Sequence, residues 1–283
     1  MRQKNCAAIH DLSGMGKCSL TAALPVLSAA GVSVACLPTA VLSTQTGGLN
    51  EYTYRDLTAD MRPVMAHWRK LGAQFDAVYS GFLGSREQVD IVTDFLEMFD
   101  GNGGKPLFLC DPAMADNGRL YDTFAPDFIP EMARLCSRAD IIVPNVTEAA
   151  MLSGTDYRED YGLDYICGLA ETLRDKLGVK RVVITGVNSA GSTGAVVSDG
   201  DKMHMVLTER VPGMFHSTGD LFASALLGAV LNDAELTDAV RISAEFVLES
   251  IRQTVTCGGD SRFGLAFEPC LADYIVSLRN IGK

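Results

Sequence analysis

Short apolar runs alternate with amphipathic segments along most of the chain. The runs Cys6–His10, Pro106–Cys110 and Val179–Thr185 are short, continuous and largely apolar, which predicts strands buried on both faces of a sheet. Between such runs, apolar residues recur at helical spacing, for example from Ile166 to Leu177. Alternating strands and helices predict an α/β fold, in which helices cover both faces of a mostly parallel sheet.

One predicted strand pair interrupts this alternation. The segments Thr193–Ser198 and Lys202–Val211 flank Asp199-Gly200-Asp201, a sequence typical of a tight antiparallel hairpin. The apolar pattern then predicts three final helices, at Thr218–Leu231, Thr237–Val255 and Leu271–Ile281. No Pro/Ser-rich linker or internal repeat divides the chain, so we predict a single domain over residues 1–283.

The composition limits the classes of function. A net charge of −11 argues against nucleic acid or an anionic membrane surface as a partner. No apolar segment approaches the roughly 20 residues of a membrane span, and the N-terminus lacks the apolar core of a signal peptide. The eight cysteines are scattered without a C-x-x-C pair, which favours buried free thiols and a reducing cytoplasm. An acidic protein that handles phosphates must rely on backbone amides and metal ions.

The segment Ser217-Thr218-Gly219-Asp220 precedes a long apolar run and predicts the start of a buried helix. The unpaired N–H groups and positive dipole end of such a helix favour a bound anion, most often a phosphate. Asp220 has two interpretations. It is either a capping carboxylate or the base that takes a proton from an attacking hydroxyl beside a bound phosphate. The helix start alone favours the cap.

A glycine-rich segment follows the first predicted strand, at residues 13–17 (SGMGK). It is not a P-loop, because Asp11 stands where the first glycine should be and Cys18 replaces the hydroxyl that would hold a metal. Ser19 likewise breaks the dinucleotide-binding pattern. We predict a loop over 11–16, either one whose backbone approaches a ligand or a plain strand-to-helix turn.

Two polar clusters also follow predicted strands. Asp111 and Asp116 lie in a loop after one strand, and Asn145 and Glu148 lie one helical turn apart after another. Taken alone, the second cluster is an ordinary helix start with a capping residue. With bound water, the same oxygen atoms could hold Mg²⁺ that bridges nucleotide phosphates. Ligands in such sheets bind beyond the carboxyl ends of the strands, so these clusters and Asp220 together favour a phosphoryl-transfer site.

Five motifs occur in the order typical of the ribokinase-like superfamily: 80–85 (SGFLGS), 111–114 (DPAM), 144–148 (PNVTE), 183–186 (VITG) and 217–222 (STGDLF). Within it, the chain resembles the vitamin B6 kinases over nearly its whole length. The resemblance implies a ribokinase-like three-layer α/β/α sandwich, ATP as phosphoryl donor, Mg²⁺ and a homodimer. Activation by a monovalent cation such as K⁺ stays open.

The resemblance also implies roles for individual residues at the phosphate side of the site. Asp220 matches the catalytic base, and Thr218 and Gly219 match the backbone anion hole, with Ser217 beside them at the nucleotide. The nucleotide and metal side is implied to comprise Asp111 and Glu148 in the Mg²⁺–water network, Asn145 as a polar group near the metal, and Thr185 as a contact to the nucleotide phosphates.

On the substrate side, residues 43–46 (STQT) align with a family segment that reads Ser-Asn-His-Thr. The resemblance therefore places Thr46 near the substrate and phosphates, with Gln45 in place of the common histidine. Phe82 falls where an aromatic residue packs near the pyridine ring, and Ser13 is implied to contact ring substituents. The implied substrate is a B6 vitamer that accepts phosphate on its 5′-hydroxymethyl group.

Four departures from the family pattern affect these expectations. Ser217 replaces a glycine, which is tolerable only if this position needs no positive φ. Ala115 replaces another glycine and should constrain its loop. Residues 10–13 (HDLS) replace the family's Gln-Ser-His, and Gln45 replaces histidine. The last two changes concern the substrate pocket and hence the identity of the substrate.

Two other functions stay open. The first is a hydroxymethylpyrimidine kinase of thiamin synthesis, because the Ser-Gly-Gly loop of those enzymes also resembles residues 13–16. The second is a nucleotide-binding sensor that has kept the fold and lost turnover. The presence of Asp111, Glu148 and Asp220 together argues against the sensor.

Overall fold

One nine-stranded sheet organises the structure, a computed structural model that describes residues 2–101 and 104–282. The strands are β1 (Asn5–Met15), β2 (Ser33–Thr44), β3 (Tyr54–Asp56), β4 (Ala77–Ser80), β5 (Leu107–Cys110), β6 (Ala115–Asp116), β7 (Arg119–Leu120), β8 (Ile141–Ile142), β9 (Arg181–Ser189), β10 (Ser192–Asp199) and β11 (Lys202–Glu209). The helices are α1 (Leu20–Ala29), α2 (Thr58–Lys70), α3 (Arg86–Met98), α4 (Phe128–Cys136), α5 (Val146–Ser153), α6 (Leu163–Leu177), α7 (Thr218–Leu231), α8 (Leu236–Cys257) and α9 (Leu271–Arg279).

The sheet is parallel in its centre and antiparallel at both edges. Its order is β11-β10-β9-β8-β5-β4-β1-β2-β3, with parallel pairs from β9 to β2. β3 pairs antiparallel with β2 at one edge, and β10 and β11 form the predicted hairpin at the other. β6 and β7 form a separate two-stranded ribbon. The predicted α/β fold with an antiparallel hairpin is confirmed.

Helices cover both faces of the sheet, which makes three layers. Buried side chains of α2 to α6 form one apolar cluster, and those of α1, α7, α8 and α9 form the other. Strand β4 shows the alternation, because Val78 belongs to the first cluster and Tyr79 to the second. None of the described helices is both long and apolar enough to cross a membrane.

The prediction of a loop over 11–16 was wrong for most of its length. β1 continues to Met15, which pairs with Thr44 of β2, and the register shifts between His10 and Leu12. The local conformational preference of glycine favours a turn. Here the neighbouring strand β2 supplies hydrogen-bond partners for the backbone, so the segment continues as a strand. A Cβ on Gly14 would lie 3.3 Å from the Leu42 carbonyl oxygen, so a larger residue would crowd β2.

The eight cysteines are all free thiols, as predicted. The prediction that they are buried holds only for Cys6, Cys18, Cys110 and Cys136. The sulfur atoms of Cys110 and Cys136 lie 3.8 Å apart without a covalent bond.

Candidate active site at the start of helix α7

Helix α7 begins at Thr218 and carries Asp220 in its first turn. Gly219 is exposed, and a Cβ added to it would meet no atom within 4 Å. The first N–H groups of a helix have no partner within the helix, so this open end can bind an anion.

The partly buried position of Asp220 changes the acidity of its carboxyl group. Loss of hydration raises the pKa of Asp220 to about 7; the Asp11 carboxylate contributes to the rise, and the main-chain N–H of Ser19 opposes it. A carboxyl group that titrates near neutral pH can take up and release a proton under physiological conditions, as a general base must. A capping carboxylate needs no such shift.

Asn145 and Glu148 form a capping box at the start of α5. The Asn145 Oδ1 accepts a hydrogen bond from the Glu148 N–H at 2.9 Å, and the Asn145 N–H donates to the Glu148 carboxylate at 2.9 Å. Glu148 also accepts from the N–H of Met114 at 3.1 Å and from that of Ala115 at 3.4 Å. The carboxylate thus ties the helix start to the loop that follows Asp111, and the ordinary helix-start interpretation holds for both residues.

Asp111 is the less satisfied member of the acidic cluster. It is buried at the end of β5, and no described residue donates a hydrogen bond to its carboxylate. Desolvation, followed by the charges of Glu148 and Asp220, raises the pKa of Asp111 well above its ordinary value. Desolvation also raises the pKa of Glu148 to about 8. A cation bound beside Asp111 would offset the repulsion between its carboxylate and those of Glu148 and Asp220.

The predicted departure at Ala115 causes no backbone strain. Ala115 is fully buried in β6 and does not have a positive φ. Its carbonyl oxygen accepts a hydrogen bond from the Asn145 side-chain amide at 2.8 Å. The loop after Asp111 is therefore fixed by hydrogen bonds to α5.

Gln45 holds its own loop together. Its side-chain amide accepts from the Gly47 N–H at 2.8 Å and donates to the carbonyl oxygens of Gly47, at 2.7 Å, and Arg262. A Cβ on Gly47 would lie 2.8 Å from both the Gln45 Oε1 and the His216 Nδ1, so a larger residue would have to displace these side chains. Thr46 is exposed beside these contacts. Gln45 thus braces the loop that contains Thr46 and Gly47, and a direct contact to substrate stays a prediction.

The other predicted substrate residues occupy different depths. Ser13 is fully buried, and its hydroxyl donates to the Asp11 carboxylate at 3.2 Å. Phe82 is half-buried and packs on Phe124 with ring centroids 5.5 Å apart. Phe82 therefore lies closer to the protein surface than Ser13 does.

Thr185 lies next to the capping box. Its N–H donates to the Pro144 carbonyl oxygen at 2.9 Å, and it forms a parallel bridge with Asn145. Its predicted contact to nucleotide phosphates is compatible with this position beside α5.

Two tyrosines near the site, Tyr121 and Tyr54, are not marked by any pattern in the sequence. Tyr121 is partly exposed, and desolvation, followed by the charges of Glu148, Asp116, Asp111 and Asp220, raises the pKa of its hydroxyl. The Tyr54 hydroxyl lies against Gly84, where a Cβ would approach it to 2.5 Å. Tyr121 directly follows the ribbon strand β7 and Tyr54 lies in the three-residue strand β3; neither strand is long enough to leave an apolar pattern.

Ser217 has a positive φ, the conformation that is unfavourable for a residue other than glycine. It lies before α7 with φ 63° and ψ 18°, the left-handed region, and its side chain does not cap the helix. A non-glycine residue in this region is strained, because its Cβ crowds the following carbonyl oxygen.

We expect Ser217→Gly to raise the free energy of unfolding by up to about 1 kcal/mol, since glycine relieves the strain but loses more entropy on folding. Chemical denaturation measures the change. Ser85→Gly is the matched control: Ser85 precedes α3 in extended backbone and caps it, so its replacement should be slightly destabilising. Equal losses of stability in both variants would show that Ser217 is unstrained.

Known proteins share this architecture. A sequence model of the phosphomethylpyrimidine kinase family matches residues 16–263. A structure from Bacteroides thetaiotaomicron, named "putative phosphomethylpyrimidine kinase" and crystallised with pyridoxal, is 36% identical, with a TM-score of 0.91 and 96% of each chain covered. Pyridoxal kinase from Lactobacillus plantarum is 30% identical, with a TM-score of 0.89, and covers 97% of this chain and 98% of its own.

A curated sequence relative is more distant. The Schizosaccharomyces pombe protein named "Putative pyridoxal kinase" is 26% identical over 209 residues, which make up 69% of this chain. The match spans 65% of that relative's length, just under two thirds.

Proposed function

This chain belongs to the phosphomethylpyrimidine kinase family, and we propose that it is an ATP-dependent kinase acting on the 5′-hydroxymethyl group of a B6 vitamer. The product would be the vitamer 5′-phosphate. The similarity to a pyridoxal kinase and to a structure containing pyridoxal supports a pyridine acceptor.

The position and acidity of Asp220 carry the proposal. Asp220 lies in the first turn of α7, and its pKa is raised to about 7. A hydroxymethyl group directed at the γ-phosphate would lose its proton to this carboxylate as its oxygen bonds to the γ-phosphorus and the bond from that phosphorus to the bridging oxygen breaks, which releases ADP. The N–H groups of Thr218 and Gly219 would hold the transferred phosphoryl group, while Ser217 and Thr185 would contact the nucleotide.

Mg²⁺ fits the acidic cluster as a partner of ATP. Asp111 has a buried carboxylate without a hydrogen-bond donor among the described residues. Over the described ranges, no three His, Cys, Asp or Glu side chains converge to hold a metal ion alone. Asp111 would therefore hold Mg²⁺ together with water and ATP phosphates, as is usual for nucleotide-bound magnesium. When bound, the ion offsets negative charge on the phosphates. Asn145 and Glu148 would keep the Asp111 loop in place.

The charge of the substrate loops favours an unphosphorylated acceptor. Residues 43–48, 80–85 and 111–118 contain no Lys or Arg, so a substrate phosphate would lack a counter-charge there. Phe82 offers an aromatic face to a heterocycle. Ser13 and Thr46 are the predicted contacts to its ring substituents.

A substrate panel tests this function. We expect kcat/KM with pyridoxal, pyridoxamine or pyridoxine to exceed that with hydroxymethylpyrimidine by at least about tenfold, the discrimination that a few pocket contacts supply. Coupled detection of ADP gives the rates, and mass spectrometry identifies the phosphorylated product. Turnover of ATP with none of these acceptors would contradict the proposal.

A hydroxymethylpyrimidine kinase is the second candidate. It is favoured by the matched family, which is described as phosphomethylpyrimidine kinase. Equal or better use of hydroxymethylpyrimidine in the same panel would assign the protein to thiamin synthesis.

A cytoplasmic homodimer is proposed as the working form. The eight free thiols support a reducing compartment, and the dimer follows from the family resemblance. Sedimentation equilibrium would give the mass of the assembly, and a monomer at micromolar concentration would contradict the dimer.

A further inference from the structure

We propose that Gln88 is a positioning residue for the acceptor side of the site: its side-chain amide fixes the loop that carries Phe82 against the edge strand β3. The inference rests on the proposed function, since it takes Phe82 as a contact to the heterocycle. It gives a role to a fully buried polar side chain in the first turn of α3 that the proposed mechanism otherwise leaves unused.

The sequence before Gln88 is that of a capping box, but the side chain of Gln88 makes a different contact. Ser85 precedes α3, and its hydroxyl accepts the Gln88 N–H at 3.3 Å, which is the usual first half of the box. In the second half, the side chain at this position would accept the N–H of the capping residue itself. The Gln88 Oε1 instead accepts the N–H of Gly84 at 2.7 Å. Gln88 therefore holds the loop that precedes the helix.

The amide nitrogen of Gln88 contacts β2 and the connection from β3 to α2. It donates to the Thr39 carbonyl oxygen at 3.0 Å, to the Thr58 hydroxyl at 2.9 Å and to the Asp56 carboxylate at 3.4 Å. Carbonyl and carboxylate oxygens only accept hydrogen bonds, so these partners determine which end of the amide points in which direction. The side chain of Gln88 thus joins three separate segments of the chain.

A second buried side chain holds the same loop. Thr39 is fully buried, and its hydroxyl donates to the Phe82 carbonyl oxygen at 3.2 Å. Two residues further along the loop, a Cβ on Gly84 would lie 2.5 Å from the Tyr54 hydroxyl, so β3 also packs closely against this backbone. Hydrogen bonds therefore fix the loop at both Phe82 and Gly84, which limits the positions open to the Phe82 ring.

The edge strand β3 has few other contacts that could hold it. It is three residues long, exposed, and paired with β2 at the edge of the sheet. Leu57, which directly follows it, donates its N–H to the Thr39 carbonyl oxygen at 3.0 Å, the same atom that Gln88 contacts. Short exposed elements with few buried contacts open easily. Residues 45–53, which include the predicted substrate contact Thr46, lead into β3, so Gln88 holds two parts of the acceptor side together.

This arrangement predicts an effect on acceptor binding and little effect on the chemical step. Without the amide, the Phe82 loop and β3 can take several relative positions, and only some of them accept the heterocycle. The apparent affinity falls in proportion to the fraction of molecules that are competent to bind. Asp220 and Asp111 lie on other elements, so a bound vitamer should still react at nearly the wild-type rate.

The kinetic test compares Gln88→Met with Val92→Ala. Methionine has a similar length and no amide, and we expect it to raise the KM for pyridoxal roughly tenfold, with kcat and the KM for ATP within about threefold of wild type. Val92 is buried on the same helix, so Val92→Ala should lower the melting temperature and leave the KM for pyridoxal unchanged. An unchanged KM for pyridoxal in Gln88→Met, or an equal rise in Val92→Ala, would overturn the inference.

The contact of Thr39 to the loop is tested by a pair of substitutions. Thr39→Val keeps the shape of the side chain and removes the hydrogen bond to Phe82. It should raise the KM for pyridoxal by about three- to tenfold, the range for the loss of one hydrogen bond. Thr39→Ser keeps the hydroxyl and should stay within about twofold of wild type. Equal KM values in the two variants would contradict this contact as a second support of the loop.

A third measurement does not depend on activity. Hydrogen exchange followed by NMR should show protected Gly84 and Leu57 amides in the wild type, with both less protected in Gln88→Met and unchanged in Val92→Ala. Gln88→Glu, when ionised, can accept from Gly84 but has no N–H to donate, so it should keep the protection of Gly84 and lower that of Leu57. Unchanged exchange in Gln88→Met would overturn the inference even in an active kinase. Lower protection in a protein that phosphorylates no vitamer would support the contacts of Gln88 and reject only the proposed function.

Discussion

Asp220→Asn is expected to lower kcat by ~10² or more while leaving the affinity for ATP nearly unchanged. Asparagine keeps the size of the side chain and can still cap α7, but it cannot accept the proton of the attacking hydroxyl. Steady-state kinetics with the best vitamer measure the loss. Asp238→Asn is the matched control, because Asp238 also lies in the first turn of a helix and is exposed. Wild-type turnover in Asp220→Asn would reduce Asp220 to a cap.

The same variant should be more stable than wild type at high pH. The pKa of Asp220 is about 7 in the folded protein and ordinarily 3.8, so the unfolded chain ionises first as pH rises. Wild-type stability is therefore lost between about pH 4 and 7. Asparagine does not titrate, so the free energy of unfolding of Asp220→Asn should exceed that of wild type by up to about 4 kcal/mol at pH 8 and match it near pH 4. Denaturation curves at both values check the sign.

Glu148→Gln should raise the Mg²⁺ concentration for half-maximal rate by roughly tenfold, the lower range for residues that support a metal site from behind. Glu148 accepts the N–H groups of Met114, Ala115 and Asn145. Glutamine has a single acceptor oxygen, so one of these donors loses its partner and the loop after Asp111 loosens. The KM for the vitamer should change much less.

The control for Glu148 is another carboxylate in the first turn of a helix. Glu131 of α4 forms ion pairs with Arg86 and Arg134, so Glu131→Gln should leave the Mg²⁺ titration unchanged. If Glu148→Gln lowers only the melting temperature, Glu148 serves the helix start alone.

The sequence predicted the elements whose pattern is local and repeated. The β10–β11 hairpin follows from Asp199-Gly200-Asp201 between alternating residues, and α7 follows from a small polar start before a long apolar run. The capping box is likewise encoded within four residues, Asn145 to Glu148. In each case the contacting residues lie a few positions apart, so a short stretch of sequence is enough to predict the contact.

Contacts between distant segments had no such signal. The side-chain amide of Gln45 donates a hydrogen bond to the carbonyl oxygen of Arg262, 217 residues away. No local sequence pattern predicts this hydrogen bond. Residues 11–16 looked like a glycine-rich loop, because polar and small residues favour loops when the neighbouring strand is unknown. The absence of glycine at position 217 indicated that a positive φ would be strained there. Whether Ser217 has a positive φ could not be predicted from the local sequence.

The tie between the loop at Gln45 and the segment at Arg262 has a consequence for synthesis of the protein. The main-chain carbonyl of Phe263 likewise accepts the N–H of Lys17 at 2.9 Å, so both loops are completed by a segment that is synthesised much later than they are. Chains emerging from the ribosome fold progressively from the N-terminus. The strands around β1 can pair early, but the loop at Gln45 lacks its contact to Arg262 until that residue has left the exit tunnel.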